Sequence, residues 1–269
     1  MISGRKWNNL ILYLIIFIVT LPIGCSPLRQ PPKKTKPFLQ EDASQLVFSL
    51  REQNKEIDSF QGIGKIIFEG EEGELESNLF IVGKRPFKTR IEITHIWGKP
   101  LFHIVINGRD ISVLSLMEKK LFLGHGGSLN IDQLFLLDLD PQSIWDILAG
   151  RAPVLDEAER AVRFEPNEVV LLNSNSEAIE IIRFSSNPVL PKSVYFPMKE
   201  ITITLSKFRK MTFGYSPLQI EIIQEKRNRL VKIEYKNFEV NRPVPDEIFA
   251  LKPLPGFKII ELDKPVKVP

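Results

Sequence analysis

Short runs in which apolar and polar residues alternate follow one another from Phe60 to about Val240, and this pattern most constrains the fold. Alternation with a period of two puts every second side chain on one face, as in a half-buried β-strand. Phe87–Trp97 is the clearest run, with Ile91 and Ile93 on one face. The predicted strands are Phe60–Glu69, Glu74–Val82, Phe87–Trp97, Leu101–Ile106, Ile111–Leu116, Lys120–Leu123, Val162–Phe164, Val169–Asn173, Ala178–Phe184, Pro191–Phe196, Ile201–Phe208, Leu218–Gln224 and Leu230–Val240.

No run between these strands reads as a crossover helix, so the sheet should be antiparallel throughout. About twelve strands in one meander must either curl into a barrel or split into two packed layers. The Pro-rich segment Arg242–Pro269 is expected to lie over the barrel rather than to add a strand. The sequence therefore predicts a mainly β fold without a second-domain linker.

Two segments read as helix instead. Glu41–Ile57 has its apolar residues on one stripe, which predicts an amphipathic N-terminal helix. Leu129–Pro153 interrupts the strands; its second helix has Asp140 as N-cap, Pro141 at the first position and a stop at Gly150. A helix this short and this apolar must be buried against something, so residues 129–150 are predicted to form a short central lid on the sheet. Its apolar positions are Ile144, Trp145, Ile147 and Leu148.

The N-terminus predicts a secretory signal over residues 1–24, with two basic residues followed by an apolar run too short to span a membrane comfortably. Cys25, the single cysteine of the chain, follows directly and resembles the acylated cysteine of a bacterial lipobox. The alternative is a chance cysteine inside an uncleaved anchor helix. Attached acyl chains such as palmitate would anchor the protein stably if there were more than one. By resemblance to lipoprotein sorting rules, Ser26 favours the periplasmic face of the outer membrane of a Gram-negative-type bacterium.

Residues 25–40 form a Pro- and Lys-rich tether. The whole chain has a net charge of +3, and removal of the signal with its two basic residues leaves +1. Residues 26–40 hold four basic and no acidic residues, so the remaining folded part has a net charge of −3. Because the folded part is not basic, we do not expect nucleic acid as a partner. The prolines favour an extended tether and its lysines suit anionic headgroups, although a plain spacer explains the segment equally well.

The sequence offers no catalytic constellation, so we expect no enzyme activity and no cofactor. The three histidines, His95, His103 and His125, lack the spacing of a metal site. The Gly-rich loop at His125 echoes an esterase oxyanion loop, but no GxSxG motif accompanies it. An apolar lid on a curved sheet, together with a lipid anchor, indicates instead storage or transfer of an apolar ligand. The alternative is that the same residues fill a solid core.

Several motifs follow one another along residues 43–260: Glu56–Lys65, Val82–Phe87 followed by Arg90–Ile93, Ile106–Asp110, Leu139–Pro153, and Asn241–Leu251 with Pro255–Phe257. In this order they resemble the family of periplasmic lipoprotein carriers and outer-membrane lipoprotein receptors, LolA and LolB. The helix motif Leu139–Pro153, with its Gly-x-x-Pro ending, is similar to the LolB branch.

This resemblance implies an unclosed β-barrel over residues 41–269, with helices covering an apolar cavity that shields acyl chains. Arg85 matches the carrier's arginine that hydrogen-bonds the lid shut, or is a solvated turn residue. Trp97 matches the receptor's apolar loop residue that inserts into the membrane, or ends a strand in the core. The residues expected to line the acyl cavity are Phe68, Phe80, Ile91, Ile93, Ile104, Leu134, Leu137, Ile144, Trp145 and Leu148.

The function implied is that of an outer-membrane lipoprotein that receives acylated lipoproteins from a soluble periplasmic carrier and localises them to the membrane. Extra strand material around Lys192–Tyr215 departs from the usual receptor. Two alternatives therefore stay open. One is a structural or scaffold lipoprotein of the envelope that reuses the fold; the other is a carrier of a free lipid or glycolipid.

Overall fold

The computed structural model describes residues 43–71, 73–124, 139–212 and 214–262. Within these residues, fourteen strands form one sheet. The strands are β1 Ser59–Gly70, β2 Gly73–Lys84, β3 Lys88–His95, β4 Pro100–Asn107, β5 Asp110–Ser115, β6 Lys120–Gly124, β7 Arg160–Glu165, β8 Glu168–Leu172, β9 Ala178–Phe184, β10 Pro191–Phe196, β11 Ile201–Met211, β12 Gly214–Gln224, β13 Arg229–Val240 and β14 Lys258–Glu261.

The strand order joins two meanders through the pairing of β1 with β13. It reads β14-β6-β5-β4-β3-β2-β1-β13-β12-β11-β10-β9-β8-β7, so β14 and β7 form the two edges and do not pair with each other. The sheet is therefore not closed. This confirms the predicted fold class, a mainly β protein built on a single unclosed sheet.

The C-terminal strand corrects two predictions. β14 pairs with the edge strand β6 in parallel, with Lys258 opposite Lys120 and Glu261 opposite Leu123. The segment Arg242–Pro269 thus does add a strand, and the sheet is not antiparallel throughout. The physical reason is that β6 ends the first meander with unpaired backbone groups, which a returning segment can satisfy.

Two α-helices occur within the described residues: α1 Ala43–Lys55 and α2 Pro141–Leu148. The predicted start of α2 is confirmed, because the Asp140 carboxylate accepts a hydrogen bond from the Ser143 backbone N–H at 2.8 Å. Gly150 follows the helix with a φ of +70°, a conformation that favours glycine. Within the described residues, no helix is both long and apolar enough to cross a bilayer.

The sheet buries both of its faces, but unequally. The large core lies between the concave face and the helices, and it includes Ile201, Ile203 and Leu205 of β11. A smaller cluster lies on the opposite face, where Val244 and Phe249 of the C-terminal segment cover β2 and β4. The concave face is therefore the one that α2 covers.

Candidate functional site

Helix α2 packs against the concave face and leaves little space beneath it. Its apolar residues, predicted to be buried all round, are at most 5% exposed. The cavity that remains beneath the helix has a volume of about 20 Å³, room for roughly one water molecule. Its lining is wholly apolar: Ile66, Leu79, Ile81, Ile91, Ile144, Ile147, Leu148, Ile222, Val231 and Ile233.

Aromatic rings fix the position of α2 on the sheet. Trp145 is fully buried, and its ring centroid lies 5.2 Å from that of Phe60 in an edge-to-face arrangement. The Phe60 ring lies directly on Gly83 of the neighbouring strand, where a Cβ atom would come within 2.3 Å of the ring. Glycine at this position therefore makes the space that the Phe60–Trp145 pair needs.

Arg85, in the turn after β2, joins the two helices. Its guanidinium donates from Nε to the Ile57 carbonyl at 2.9 Å and from Nη2 to the Asn54 carbonyl at 2.6 Å, both at the end of α1. The same guanidinium lies 4.4 Å from the Trp145 ring centroid, a cation–π distance, and 3.9 Å from the Asp146 carboxylate. Arg85 thus contacts α2 directly, and its role in closing a lid stays a prediction.

The Asp146 carboxyl is nearly buried beside this arginine. Burial raises the pKa of Asp146 to about 7, and the nearby positive charge of Arg85 acts in the opposite direction. Among the described residues, its Oδ1 atom has no hydrogen-bond partner. Burial therefore favours the protonated form of this carboxyl.

The segment that follows α2 is bound by polar groups of α1 and β9. Asn54 donates to the Ala152 carbonyl at 2.8 Å, and Arg51 donates to the Leu155 carbonyl at 3.0 Å. The Leu155 backbone N–H donates to the Glu180 carboxylate at 2.9 Å, and burial raises the pKa of Glu180 to about 8. At the C-terminal end of α2, the Tyr235 hydroxyl donates a hydrogen bond to the Leu148 carbonyl at 2.9 Å. These bonds hold the C-terminal end of α2 and the segment that follows it.

The structure brings most of the predicted cavity residues together. Ile91, Ile144 and Leu148 line the small cavity. Four others belong to the same core: Phe68, Ile93, Ile104 and Trp145. Leu134 and Leu137, with the first part of the predicted lid and His125, lie outside the described residues, as do Cys25 and the tether.

The predicted position of Phe80 in the cavity lining is wrong. It lies on the opposite face of the sheet, where it packs with Val82 under the C-terminal segment. The strand neighbours Leu79 and Ile81 line the cavity instead. The reason is that 79–82 is a continuous apolar run, and both faces of β2 are covered, so the sequence does not tell one face from the other.

Trp97 lies in the turn between β3 and β4, because β3 ends at His95 rather than continuing to Trp97 as predicted. Its side chain is 87% exposed, and the adjacent Ile96 is also exposed. Strand-end burial in the core, the alternative considered for Trp97, is therefore wrong. The Trp97 side chain is accessible to a partner surface.

The two described histidines do not approach a metal-binding geometry. His103 lies opposite Glu92 on β3, and burial lowers the pKa of His103. His95 accepts a weak hydrogen bond from the Trp97 backbone N–H at 3.3 Å. Among the described residues, no three His, Cys, Asp or Glu side chains are grouped so that they could hold a metal ion.

Sequence reasoning missed Asp146 and Tyr235. Asp146 is the polar residue within the apolar run of α2, a signal that could have marked it as a contact point. Tyr235 lies on the same inward face of β13 as Val231 and Ile233, at every second position of the strand, and this spacing predicts burial of its ring. Neither pattern predicts the residue that each side chain contacts, which is Arg85 for Asp146 and Leu148 for Tyr235.

No protein-family model matches the sequence, and comparison with curated proteins found no match. Solved structures do match. A LolA superfamily protein from Nitrosomonas europaea has a TM-score of 0.53 at 17% identity, covering 78% of this chain and 98% of its own. A DUF1329 family protein from Desulfovibrio piger has a TM-score of 0.52 at 11% identity, covering 78% and 98%.

A putative outer membrane lipoprotein-sorting protein domain from Vibrio parahaemolyticus has a TM-score of 0.52 at 5% identity, covering 77% of this chain and 97% of its own. At these identities the likeness shows the fold alone. The chain thus has a LolA-like fold, an unclosed sheet whose concave face is covered by a short apolar helix.

Proposed function

We propose that this protein binds the acyl chains of lipoproteins on the concave face of its sheet, beneath α2. The observation that carries the proposal is the combination of a wholly apolar lining beneath α2 with a short apolar helix held there by polar contacts at its C-terminal end. Acyl chains need no hydrogen bonds, so such a face suits them. Bound lipid would replace α2 as the cover of the same side chains.

Binding requires α2 to move. A cavity of about 20 Å³ cannot take an acyl chain, whereas small-ligand sites measure roughly 300–1,000 Å³. Displacing α2 would expose Ile144, Ile147 and Leu148 together with the sheet residues they cover. The Arg85 contacts with Trp145 and Asp146, the Phe60–Trp145 ring pair and the Tyr235 hydrogen bond oppose this movement.

The finer proposal is a receptor of the LolB type, not an enzyme, that needs no cofactor. Acylation at Cys25 would anchor it to the periplasmic face of the outer membrane, and a soluble carrier would deliver the lipoprotein. Trp97 suits insertion into the bilayer interface, because it is apolar with one polar N–H and is almost fully exposed.

One observation favours a second candidate. The tight packing beneath α2 is what a scaffold lipoprotein that uses the fold without a ligand would have. Carriage of a free lipid or glycolipid remains a third reading of the same apolar face. These three candidates differ in what enters the space beneath α2.

The test uses Trp145 as the reporter of acyl binding. The full chain contains Trp7, Trp97 and Trp145, so replacing the first two with Phe leaves a single tryptophan on α2. A synthetic diacylated lipopeptide with brominated acyl chains should quench its fluorescence, because bromine quenches on contact. Quenching by a brominated free fatty acid alone would indicate a carrier of free lipid. Quenching by neither probe would indicate a scaffold lipoprotein that binds no acyl chain.

Depletion in the native cell tests the finer proposal. Other lipoproteins should then accumulate in the inner membrane or periplasm. Normal sorting after depletion would exclude the receptor role even if the purified protein binds acyl chains.

A further inference from the structure

The hydrogen-bonded ladder between β12 and β13 stops halfway along the two strands. Pairing runs from Gln219 opposite Glu234 to Gln224 opposite Arg229. In the described part of the chain, the first half of β12 pairs only with β11, and the second half of β13 pairs only with β1. Pro217, which has no N–H to donate, lies just where the ladder has ended. The sheet is therefore split at this point.

The chain that leaves α2 fills the split. Gly150 lies against Pro217, so that a Cβ atom on Gly150 would come within 3.1 Å of the Pro217 Cδ atom. Arg151 donates from Nη1 to the Tyr215 carbonyl on the β12 side at 3.3 Å. On the β13 side, the Tyr235 hydroxyl donates a hydrogen bond to the carbonyl of Leu148, the last residue of α2. We call residues 149–151 the plug, because both sides of the split contact the end of α2 and the segment after it.

A cleft of about 370 Å³ opens at the same end of β13, a volume typical of small-ligand sites. Its most buried lining residue, Phe238, stacks on Phe60 with ring centroids 6.2 Å apart, and Phe60 contacts Trp145 of α2. Aromatic side chains therefore lead from the cleft to the concave core. The lining residues are Met211, Thr212, Phe238, Glu239, Val240, Asn241 and Arg242.

The cleft is amphipathic, and its lining carries one cationic and one acidic side chain. Met211 and Phe238 supply an apolar wall. Arg242 pairs with Glu239 at 3.3 Å on the surface, and the end of β11 that leads into the cleft adds the exposed Arg209. An acyl chain with an anionic head matches this arrangement, because its chain meets the wall while its head meets the cations.

We propose that the split between β12 and β13 is a side entrance to the concave face, that the cleft at Phe238 binds one acyl chain with an anionic head, and that the plug closes the passage. The proposal rests on the proposed acyl binding beneath α2 and names the route to it. Free anionic lipid and the acylated end of another lipoprotein share this chemistry. Movement of Gly150 and Arg151 out of the split opens the route.

Photo-crosslinking tests the entrance with the full chain in mild detergent. The probes are a fatty acid and a synthetic diacylated lipopeptide with an acidic peptide head, each with a diazirine in the acyl chain. Brief illumination should label peptides that contain Met211 or Phe238, and longer incubation should add peptides from α2. Labelling by the fatty acid alone assigns the cleft to free lipid, and labelling by the lipopeptide assigns it to lipoprotein cargo.

Two variants and a matched control make the test specific. Met211→Glu puts a negative charge on the apolar wall, and Thr212→Trp fills the cleft without adding charge; each should lower labelling at Phe238 at least tenfold. Ile223→Glu is the control, because Ile223 lines a cleft of about 490 Å³ at the opposite end of β12. Melting temperatures show which variants fold.

The outcomes separate the two proposals. Equal labelling of the Phe238 and Ile223 clefts, or labelling of Phe238 unchanged by both variants, overturns the side entrance. Labelling of α2 without labelling of the Phe238 cleft also overturns the side entrance but supports acyl binding. A chain labelled at neither place contradicts both.

Discussion

The guanidinium of Arg85 lies 4.4 Å from the ring centroid of Trp145, and this stacking joins the β2–β3 turn to the middle of α2. The same guanidinium binds two carbonyls at the end of α1. One side chain therefore connects three segments that are distant in sequence. Arg85 is the residue whose removal should most directly loosen α2.

Arg85→Ala should lower the free energy of unfolding by about 2–3 kcal/mol, because it removes two charge-assisted hydrogen bonds and a cation–π contact. Trp145 should also become more accessible to acrylamide quenching in the single-tryptophan chain. Arg183→Ala is the control, since Arg183 forms an exposed ion pair with Glu168 and should change stability by less than about 1 kcal/mol. If Arg85→Ala behaves like this control, Arg85 does not hold α2.

Protonation of Asp146 should favour the closed position of α2. Its pKa is about 7 when buried and near the ordinary value of 3.8 once α2 is displaced into water. Because Asp146 has the higher pKa in the closed state, its protonation stabilises that state. This stabilisation is fully present below about pH 3.8, is lost as the pH rises towards about 7, and changes little above that.

Asp146→Asn tests this directly. The amide mimics the neutral acid, so the variant should melt at a higher temperature than the parent at pH 8, by on the order of 5 °C, and the difference should shrink near pH 5. Glu180 contributes in the same direction, and a residual pH dependence is expected from it. An unchanged pH profile in Asp146→Asn would exclude Asp146 as the titrating group.

Trp97→Glu should abolish release of acyl cargo into liposomes and leave acyl binding intact. Trp97 is 87% exposed in a turn, so the substitution should change unfolding free energy by no more than about 0.5 kcal/mol. Met198→Glu, another highly exposed apolar residue in a turn, is the matched control. Transfer assays to liposomes measure release, and unaltered transfer by Trp97→Glu would remove Trp97 from the mechanism.

Gly83→Ala should destabilise the fold by about 1–3 kcal/mol, because its Cβ would lie 2.3 Å from the buried Phe60 ring. Gly70→Ala on β1 is the control, with its nearest side-chain atom at 3.8 Å. Adding Phe60→Leu should recover part of the loss caused by Gly83→Ala, since the smaller side chain leaves room for the Cβ. Chemical denaturation of the parent, the three single variants and the double variant checks this, and additive effects would contradict the proposed contact.

Local features of this fold could be predicted from the sequence. The bounds of Ala178–Phe184 and Pro191–Phe196 agree with β9 and β10, because alternation and flanking turn residues are local signals. The cap of α2 at Asp140 was equally readable, since a cap depends on residues within one turn.

Long-range relationships could not be predicted. The parallel addition of β14 to β6 depends on where the C-terminal segment returns, which no local pattern encodes. The contact of Arg85 with Asp146 joins residues 61 positions apart, and only the family resemblance drew attention to Arg85. For Phe80, alternation separates two faces of a strand but does not say which face is concave.

The pairing of β1 with β13 also has a consequence for how the chain acquires its structure. Phe60 lies opposite Val240, so the central ladder of the sheet closes only after some 180 residues of intervening chain are present. Contacts of such high sequence separation slow folding, and until they form, the outer side of β1 is an unpaired edge. A chain that begins to fold before its synthesis is complete therefore depends on protection from aggregation until its C-terminal third is available.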